Sequence, residues 1–230
     1  MKIIFTFLTL ALLTQPAFIN AQNRITKDPG EFNALSVRGK IRTEIIPSDQ
    51  NLVEIETTGT STENVIFEME EGEMAIRLNT DTPKEAKIVV KIYFTDLKKL
   101  SVASNALVLS PDTLKAGSLD FEAKTGGKIE LKLKLKSLKA DVTQGGLLVF
   151  YGEVDKQEVE VTSGGTYSAY DLIAEESYVK TTTGGITKIT STGILDAAAK
   201  LKGFIGYKGN PQKISLNTGI GGDIIDYSEE

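Results

Sequence analysis

The 230-residue sequence contains no histidine, no cysteine and no tryptophan. Without cysteine the chain forms neither disulfides nor iron–sulfur clusters, and without histidine as well it lacks the usual ligands of zinc. Catalytic triads of the Ser-His and Cys-His kinds are excluded for the same reason. The fold must therefore be held together by core burial and backbone hydrogen bonds alone, and any chemistry must come from carboxylates, Lys, Arg, Tyr or hydroxyl groups.

Charged residues make up 25% of the chain and hydrophobic residues 40%, which is an ordinary balance for a folded globular protein. Asp and Glu outnumber Lys and Arg by 31 to 26, so the formal net charge is −5. Because a nucleic-acid partner would require a basic surface, we expect no nucleic-acid partner.

Residues 1–21 have the three-part layout of a secretory signal peptide. Lys2 precedes a mostly apolar run, Ile3–Leu13, and a mixed segment ends at Ala21. Cleavage after Ala17 is an alternative to cleavage after Ala21. The apolar run is too short to span a bilayer. We therefore expect an exported protein, located in the periplasm, on the outer surface or secreted, with no transmembrane segment in the mature chain.

Pairs of glycines recur at an almost fixed distance in the second half of the chain. The pairs begin at Gly126, Gly145, Gly164 and Gly184, with spacings of 19, 19 and 20 residues. Mostly apolar residues occupy the position five residues before each pair, and charged residues follow them directly. Alternation of this kind predicts short strands with one face buried and one face solvated, stacked as repeated units.

The repeat predicts an all-β fold, a parallel β-helix-like solenoid with coils of 19 to 20 residues. Each glycine pair would form a corner, because glycine reaches the positive φ of a sharp bend. A polar residue precedes each pair, and these residues could form a hydrogen-bonded ladder: Thr125, Gln144, Ser163 and Thr183. Residues 196–202 have helical composition, but their alternation favours one more coil.

The expected organisation is a signal peptide at 1–21, a lead-in at 22–31, one solenoid domain at 32–225 and an acidic tail at 226–230. Within the solenoid, residues 32–100 are less regular, because segments such as Val65–Met69 and Ile88–Phe94 read as longer strands that could form hairpins. Residues 101–225 form the regular Gly-Gly coils. We expect about nine or ten coils, or a rod of about 45 Å.

The glycine-pair repeat, together with the segment Phe32–Gly39 (FNALSVRG) that follows the signal peptide, resembles the head GIN domain family of putative auto-transporter adhesins. The resemblance extends from about Phe32 to about Ile225. It implies an exported, right-handed β-helix-like fold and a role in adhesion. It carries over no ligand and no catalytic residues.

An outward column of charged residues is the first candidate site. Glu122, Asp141, Glu160 and Lys180 each lie four residues before a glycine pair, so three carboxylates would occupy neighbouring coils about 5 Å apart. Such carboxylates could raise one another's pKa, hold calcium or serve as the acids and bases of a polysaccharide enzyme. A solvated acidic face is the favoured interpretation, so we expect no metal, no cofactor and no catalytic residue.

Tyr151 and Tyr170 are the second candidate site. Both lie six residues after the start of a glycine pair, and alternation points them outward, so they are expected to stack on successive coils. An exposed aromatic pair could cover a sugar ring or anchor a protein contact. The alternative is a cross-strand pair that only stabilises the sheet.

These observations favour an exported, non-enzymatic binding or adhesion module of the cell envelope whose partner is a polysaccharide or a cell-surface protein. The alternatives are a polysaccharide lyase or hydrolase built on a β-helix, and a passive envelope scaffold. Because an acidic tail repels an identical tail, we expect a monomer or a weak side-by-side dimer through Tyr151 and Tyr170, and not a fibre.

Overall fold

The structure, a computed structural model, describes residues 22–229, so the signal-peptide prediction for residues 1–21 lies outside the described residues. The strands are β1 Gln22–Lys27, β2 Ala34–Arg38, β3 Arg42–Pro47, β4 Leu52–Thr58, β5 Val65–Glu70, β6 Glu73–Leu78, β7 Lys87–Phe94, β8 Lys99–Ala103, β9 Leu107–Ala123, β10 Lys128–Val142, β11 Leu147–Val161, β12 Thr166–Thr181, β13 Ile186–Ala199, β14 Phe204–Lys208, β15 Lys213–Thr218 and β16 Asp223–Asp226. One 3-10 turn, Thr62–Asn64, is the helical structure in this range, and the described residues include no helix able to span a membrane.

The long strands β9–β13 are the successive coils of a parallel solenoid. Each pairs with the next in parallel, and the column predicted from the sequence is in register: Phe121, Ala140, Val159 and Val179 are consecutive partners. Residues 196–199 belong to β13 and continue this stacking. The all-β solenoid is therefore confirmed, with about seven turns of about 19 residues.

The N-terminal part is built differently, and for this reason the expected nine or ten coils are too many. β4 pairs antiparallel with both β1 and β7, and β5 pairs antiparallel with β6. β7 and β3 then continue in parallel into the start of β9, while β6, β2 and β8 continue into its end. Hairpin strands thus extend two sides of the solenoid without forming whole coils. The lead-in segment contains a regular strand, β1.

The two glycines of each pair serve different purposes. At the corner between β10 and β11, Gln144 and Gly145 have φ of 50° and 72°, so both adopt the left-handed conformation. Gly146 has no positive φ, but a Cβ there would lie 2.2 Å from the carbonyl oxygen of Ala123 in the preceding coil. The second glycine is therefore required by close backbone approach, and glycine's access to positive φ accounts only for the first.

The core runs along the inside of the coils. Phe150 lies between Phe121 and Tyr167, with ring centroids 4.7 Å and 5.8 Å away, and all three rings are buried. The Tyr167 hydroxyl donates to Oε1 of Gln157 at 2.8 Å, and Nε2 of Gln157 donates to Oγ of Ser177 at 2.9 Å. Burial raises the pKa of Tyr167, so the phenol stays protonated and able to donate. A connected polar group is thus placed inside a mostly apolar core.

Candidate functional site

The acidic column predicted from the sequence is present in the structure. Glu122, Asp141 and Glu160 are consecutive strand partners in β9, β10 and β11, and Lys180 of β12 follows Glu160. Alternation directs these side chains outward because the flanking residues, such as Ala140 and Val142, are buried. The column therefore lies on the outside of the last segment of each coil, just before the glycine corner.

The three carboxylates have different electrostatic surroundings. Glu122 accepts hydrogen bonds from Lys124 Nζ at 2.7 Å and Ser101 Oγ at 3.1 Å, and the bond from Lys124 chiefly lowers its pKa. Glu160 accepts from Lys180 Nζ at 2.8 Å. The pKa of Asp141, in contrast, is raised, first by partial burial and then by the neighbouring carboxylates. Its surroundings thus disfavour the ionised form of Asp141 relative to that of a solvent-exposed aspartate.

A calcium site in this column finds no support in the geometry. Within residues 22–229, no group of three or more carboxylates is arranged to hold a metal ion. Glu122 and Glu160 instead each form an ion pair with a lysine. This column therefore offers three carboxylates that accept hydrogen bonds, together with the ammonium groups of Lys180 and of the neighbouring Lys124 as donors.

A groove of about 620 Å³ lies beside this column, on the same outer side of β10 to β13. We name it the mixed-charge groove, and it is lined by Lys139, Ala140, Asp141, Lys156, Glu158, Val159, Glu160, Tyr178, Val179, Lys180 and Asp196. Its central row consists of consecutive strand partners that mix a basic, an aromatic and two acidic side chains: Lys139, Glu158, Tyr178 and Asp196. The row spans three strand spacings, or about 14 Å. Asp141 and Glu160 form one side of the groove, and Glu122 continues that side beyond it.

Tyr178 is the aromatic side chain of the mixed-charge groove. Its hydroxyl donates to Glu176 Oε2 at 3.2 Å, and the Nζ of Lys156 lies 5.0 Å from the centre of its ring. Lys156 also contacts Glu158 Oε1 at 2.6 Å. Burial and the nearby Glu176 carboxylate raise the pKa of Tyr178. A neutral phenol, an ammonium group and carboxylates are thus placed together on a half-open surface.

The structure separates Tyr151 from Tyr170, so the expected stacking of the two is wrong. Tyr151 is paired with Asp171 because β12 contains one extra residue between Ser168 and Asp171. Tyr151 instead lines a smaller groove of about 380 Å³ with Glu130 and other residues of β3, β9 and β10. Its hydroxyl lies 3.5 Å from Glu130 Oε1, and burial followed by that carboxylate raises its pKa.

Tyr170 makes contacts within the chain. Its ring packs edge-on against Tyr227 at 6.4 Å, and the ammonium groups of Lys188 and Lys208 lie 5.9 Å and 5.2 Å from its centre. A Cβ at Gly206 would lie 2.3 Å from the Tyr170 hydroxyl, so the absence of a side chain there makes room for the ring. These contacts account for an aromatic residue at this position without an external ligand.

The mixed-charge groove is also lined by residues that were not among the predicted site residues: Lys139, Lys156 and Glu158. The signal was present, because each lies two or more residues before the acidic column in the same alternating strand. Alternation alone identifies them as outward residues and does not distinguish a groove from a flat face.

Comparisons with known proteins add the following findings. The sequence model of the family described as "Putative auto-transporter adhesin, head GIN domain" matches residues 31–211. A comparison with curated protein sequences finds no significant match.

Among solved structures, a putative adhesin from Parabacteroides distasonis ATCC 8503 is similar with a TM-score of 0.73 and 19% identity, covering 90% of this chain and 97% of that one. A putative adhesin from Bacteroides fragilis NCTC 9343 is similar with a TM-score of 0.69 and 19% identity, covering 90% and 96%. A putative lipid binding protein from Parabacteroides distasonis ATCC 8503 is similar with a TM-score of 0.68 and 18% identity, covering 89% and 96%. At these identities the likeness concerns the fold.

Proposed function

This chain belongs to the head GIN domain family of putative auto-transporter adhesins, and from that premise we propose that it is an exported, non-enzymatic binding module of the cell envelope. The ligand that the surface chemistry fits best is a polysaccharide with negatively charged groups. The observation that carries this proposal is the mixed-charge groove, which combines an aromatic ring with lysines and carboxylates across four stacked strands.

Each chemical feature of a charged sugar chain has a counterpart in the groove. Tyr178 offers an aromatic surface of the kind that covers the apolar side of a sugar ring. The ammonium groups of Lys139, Lys156 and Lys180 can pair with carboxylate or sulfate groups. Asp141 and Glu160 can accept hydrogen bonds from sugar hydroxyls. Because strands repeat every ~4.8 Å, a linear polymer lying across the coils would meet similar groups at regular intervals.

Polysaccharide cleavage is the alternative function, and one observation favours it. Asp141 has a raised pKa and is the strand neighbour of Glu160, whose own carboxylate is paired with Lys180. Neighbouring strands place these two carboxyl groups about 5 Å apart, which is the separation found in retaining glycosidases. Binding is the stronger proposal, because the matching family is described as one of adhesins.

The deciding experiment uses the chain from residue 22, which contains every described strand. It is incubated with immobilised uronic-acid-containing, sulfated and neutral polysaccharides, and both retention and the release of new reducing ends are measured. We expect retention on the charged polymers without cleavage. Cleavage that Asp141→Asn abolishes would support the enzyme, and neither retention nor cleavage would leave a passive scaffold. Vesicles of phosphatidylglycerol form a further arm, because one similar structure is described as lipid binding, and retention on them alone would contradict the proposal.

Matched tyrosine variants locate the binding surface. Tyr178→Ser is expected to reduce retention about tenfold, since an aromatic anchor at a binding site contributes about 1–2 kcal/mol. Tyr151→Ser combined with Tyr170→Ser is the control for the second candidate site and is expected to leave retention unchanged. If the control abolishes retention and Tyr178→Ser does not, the ligand binds on the side of Tyr151. Thermal unfolding of each variant shows that the fold is intact.

A further inference from the structure

The two ends of the solenoid are formed by four edge strands. β15 pairs with β13 alone and β16 pairs with β14 alone, so their outer edges have no strand partner among residues 22–229. At the other end, β1 pairs with β4 and β5 pairs with β6, again on one side only within the described residues. Edge strands present unpaired backbone N–H and C=O groups and invite a further strand.

The end formed by β15 and β16, here called the C-terminal end, exposes apolar side chains that belong to inward columns. Ile214 and Leu216 follow the buried Leu195 and Ala197 in register, but they are 51% and 46% exposed because no further coil among residues 22–229 covers them. The corner column, which is polar in the earlier coils, ends in Leu201 and Ile220, exposed by 55% and 85%. Apolar area is therefore concentrated at this end.

The opposite end, here called the N-terminal end, carries apolar side chains of its own. The inward side chains of its edge strands are Ile25 of β1 and Phe67 of β5, both partly buried against the core. Lys27 places its ammonium group 5.4 Å from the centre of the Phe67 ring, and Met69 is exposed. This end is thus an apolar surface bordered by charged groups, which a second apolar surface could cover.

The charges of the edge strands are complementary between the two ends. β16 carries Asp223 and Asp226, whereas β1, the edge strand on the corresponding side of the solenoid, carries Arg24 and Lys27. On the other side of the solenoid, the edge strand at the C-terminal end is basic and the edge strand at the N-terminal end is acidic. β15 carries Lys213, whereas β5 carries Glu68 and Glu70.

Strand direction matches in one of the two pairs of edge strands. β5 runs antiparallel to the coils and β15 runs parallel to them, whereas β1 and β16 run in the same direction. β1 is antiparallel to β4, which is antiparallel to β7, and β7 is parallel to β3 and so to the coils. β16 is parallel to β14 and so runs in the same direction as the coils. The β16 of one copy and the β1 of another, stacked along one axis, would therefore meet as parallel strands.

We propose that the C-terminal end of this chain binds the N-terminal end of a second copy, head to tail. The contact buries Ile214, Leu216 and Ile220 and pairs the acidic β16 with the basic β1. Tail-to-tail stacking is disfavoured, because it would set Asp223 of one β16 against Asp226 of the other. A head-to-tail contact leaves one free end of each kind after every addition, so association continues beyond a dimer.

The test exchanges the charges at one end without changing the net charge. Lys213→Glu with Asp223→Lys alters the C-terminal end, and Lys27→Glu with Glu70→Lys alters the N-terminal end; all four residues lie on edge strands. Sedimentation velocity of the chain from residue 22 over a concentration series should show mass increasing past the dimer. Each double variant alone should associate about tenfold more weakly, because its altered end meets an unaltered end of opposite design. A mixture of the two variants should recover full association, because altered ends then meet altered ends and unaltered ends meet unaltered ends.

Several results would overturn the proposal. A chain that stays monomeric at all concentrations would do so. So would a Lys213→Glu, Asp223→Lys variant that associates at least as tightly as the unaltered chain and stops at the dimer, since a tail-to-tail contact adds no further copies. A dimer that neither charge exchange affects, and that Tyr151→Ser removes, would establish the side-by-side arrangement instead. Leu216→Lys, which places an ammonium group in the apolar patch, should abolish association, and its thermal unfolding confirms that the variant is folded.

Discussion

Residues 22–98 and residues 99–229 build one continuous sheet from different strand pairings. The first part relies on antiparallel pairs, β1 with β4, β4 with β7 and β5 with β6, whereas the second part stacks parallel coils from β8 onward. At the first end, partly buried side chains such as Ile25 and Phe67 pack against the core. At the other end, Ile214 and Leu216 remain exposed. The antiparallel pairs therefore cover more of the core at their end than the last coil does at the other, while both ends keep strand edges without a strand partner among residues 22–229.

The largest expected difference between the two parts concerns their aromatic side chains. Phe150→Ala in the coils should lower the free energy of unfolding by about 4 kcal/mol, because it removes a fully buried ring between Phe121 and Tyr167. Phe67→Ala in β5 should cost about 1–2 kcal/mol, since its ring is only partly buried. Urea unfolding measures both values. Equal losses would show that the hairpin end is as tightly packed as the coils.

The corner glycines give the next comparison. Gly146→Ala should destabilise the chain by about 3 kcal/mol, because its Cβ would lie 2.2 Å from the Ala123 carbonyl oxygen. Gly145→Ala, the control in the same corner, has open space around it and a φ of 72°, so it should cost about 1 kcal/mol. Gly59→Ala in the first part, with φ of 78° and Ala86 Cα 3.9 Å away, should resemble the control. A Gly146→Ala variant no less stable than Gly145→Ala would refute the close-approach argument.

Buried polar groups should give smaller effects of opposite sign in the two parts. Tyr167→Phe leaves Gln157 Oε1 without its donor and should lower the free energy of unfolding by about 1–2 kcal/mol. Thr43 Oγ1 in β3 is buried and has no hydrogen-bond partner among the described residues, so Thr43→Val should raise the free energy of unfolding by about 1 kcal/mol. Chemical denaturation at neutral pH measures both changes, and a destabilising Thr43→Val would reveal that this hydroxyl has a partner after all.

The pH dependence gives the smallest contrast. The raised pKa of Asp141, chiefly due to burial, means that its ionised form destabilises the folded state at neutral pH. Asp141→Asn should therefore raise the melting temperature at pH 7, with the gain vanishing as the pH falls below the ordinary value of 3.8.

Arg77 lowers the pKa of Glu68 in β5, so this carboxylate stabilises the fold above its ordinary value of 4.5. Glu68→Gln should lower the melting temperature at pH 7 and have no effect in acid, and melting curves at pH 3 and pH 7 test both signs.

The sequence was sufficient to predict the coils, because a fixed repeat length and a period of two together determine register. The columns through Phe121 and Glu122 are found in the structure as the spacing predicts. The different reasons for glycine at Gly145 and at Gly146 were not predictable, since the requirement at Gly146 depends on the position of the Ala123 carbonyl in another coil.

The candidate sites show the same limit. The 20-residue spacing between Gly164 and Gly184 reveals that one coil has an additional residue, but it does not reveal where. The structure places it before Asp171, which moves Tyr170 out of line with Tyr151. The mixed-charge groove was missed for a related reason, because side-chain alternation describes which way residues point and not the curvature of the surface that they form.

The hydrogen-bonded group of Tyr167, Gln157 and Ser177 affects whether each coil pairs with its correct neighbour during folding. Coils of nearly equal length have similar apolar columns, so a strand shifted by one whole coil would still bury mostly aliphatic side chains. In the inward column that contains Gln157, the other residues are Leu119, Leu138, Ser177, Leu195 and Ile214. A shifted pairing would place Gln157 beside leucines and leave its amide without partners, at about 1–3 kcal/mol for each buried group. The buried polar group therefore favours the correct pairing of the coils over pairings shifted by one coil. The repeated apolar residues alone could not discriminate between these pairings.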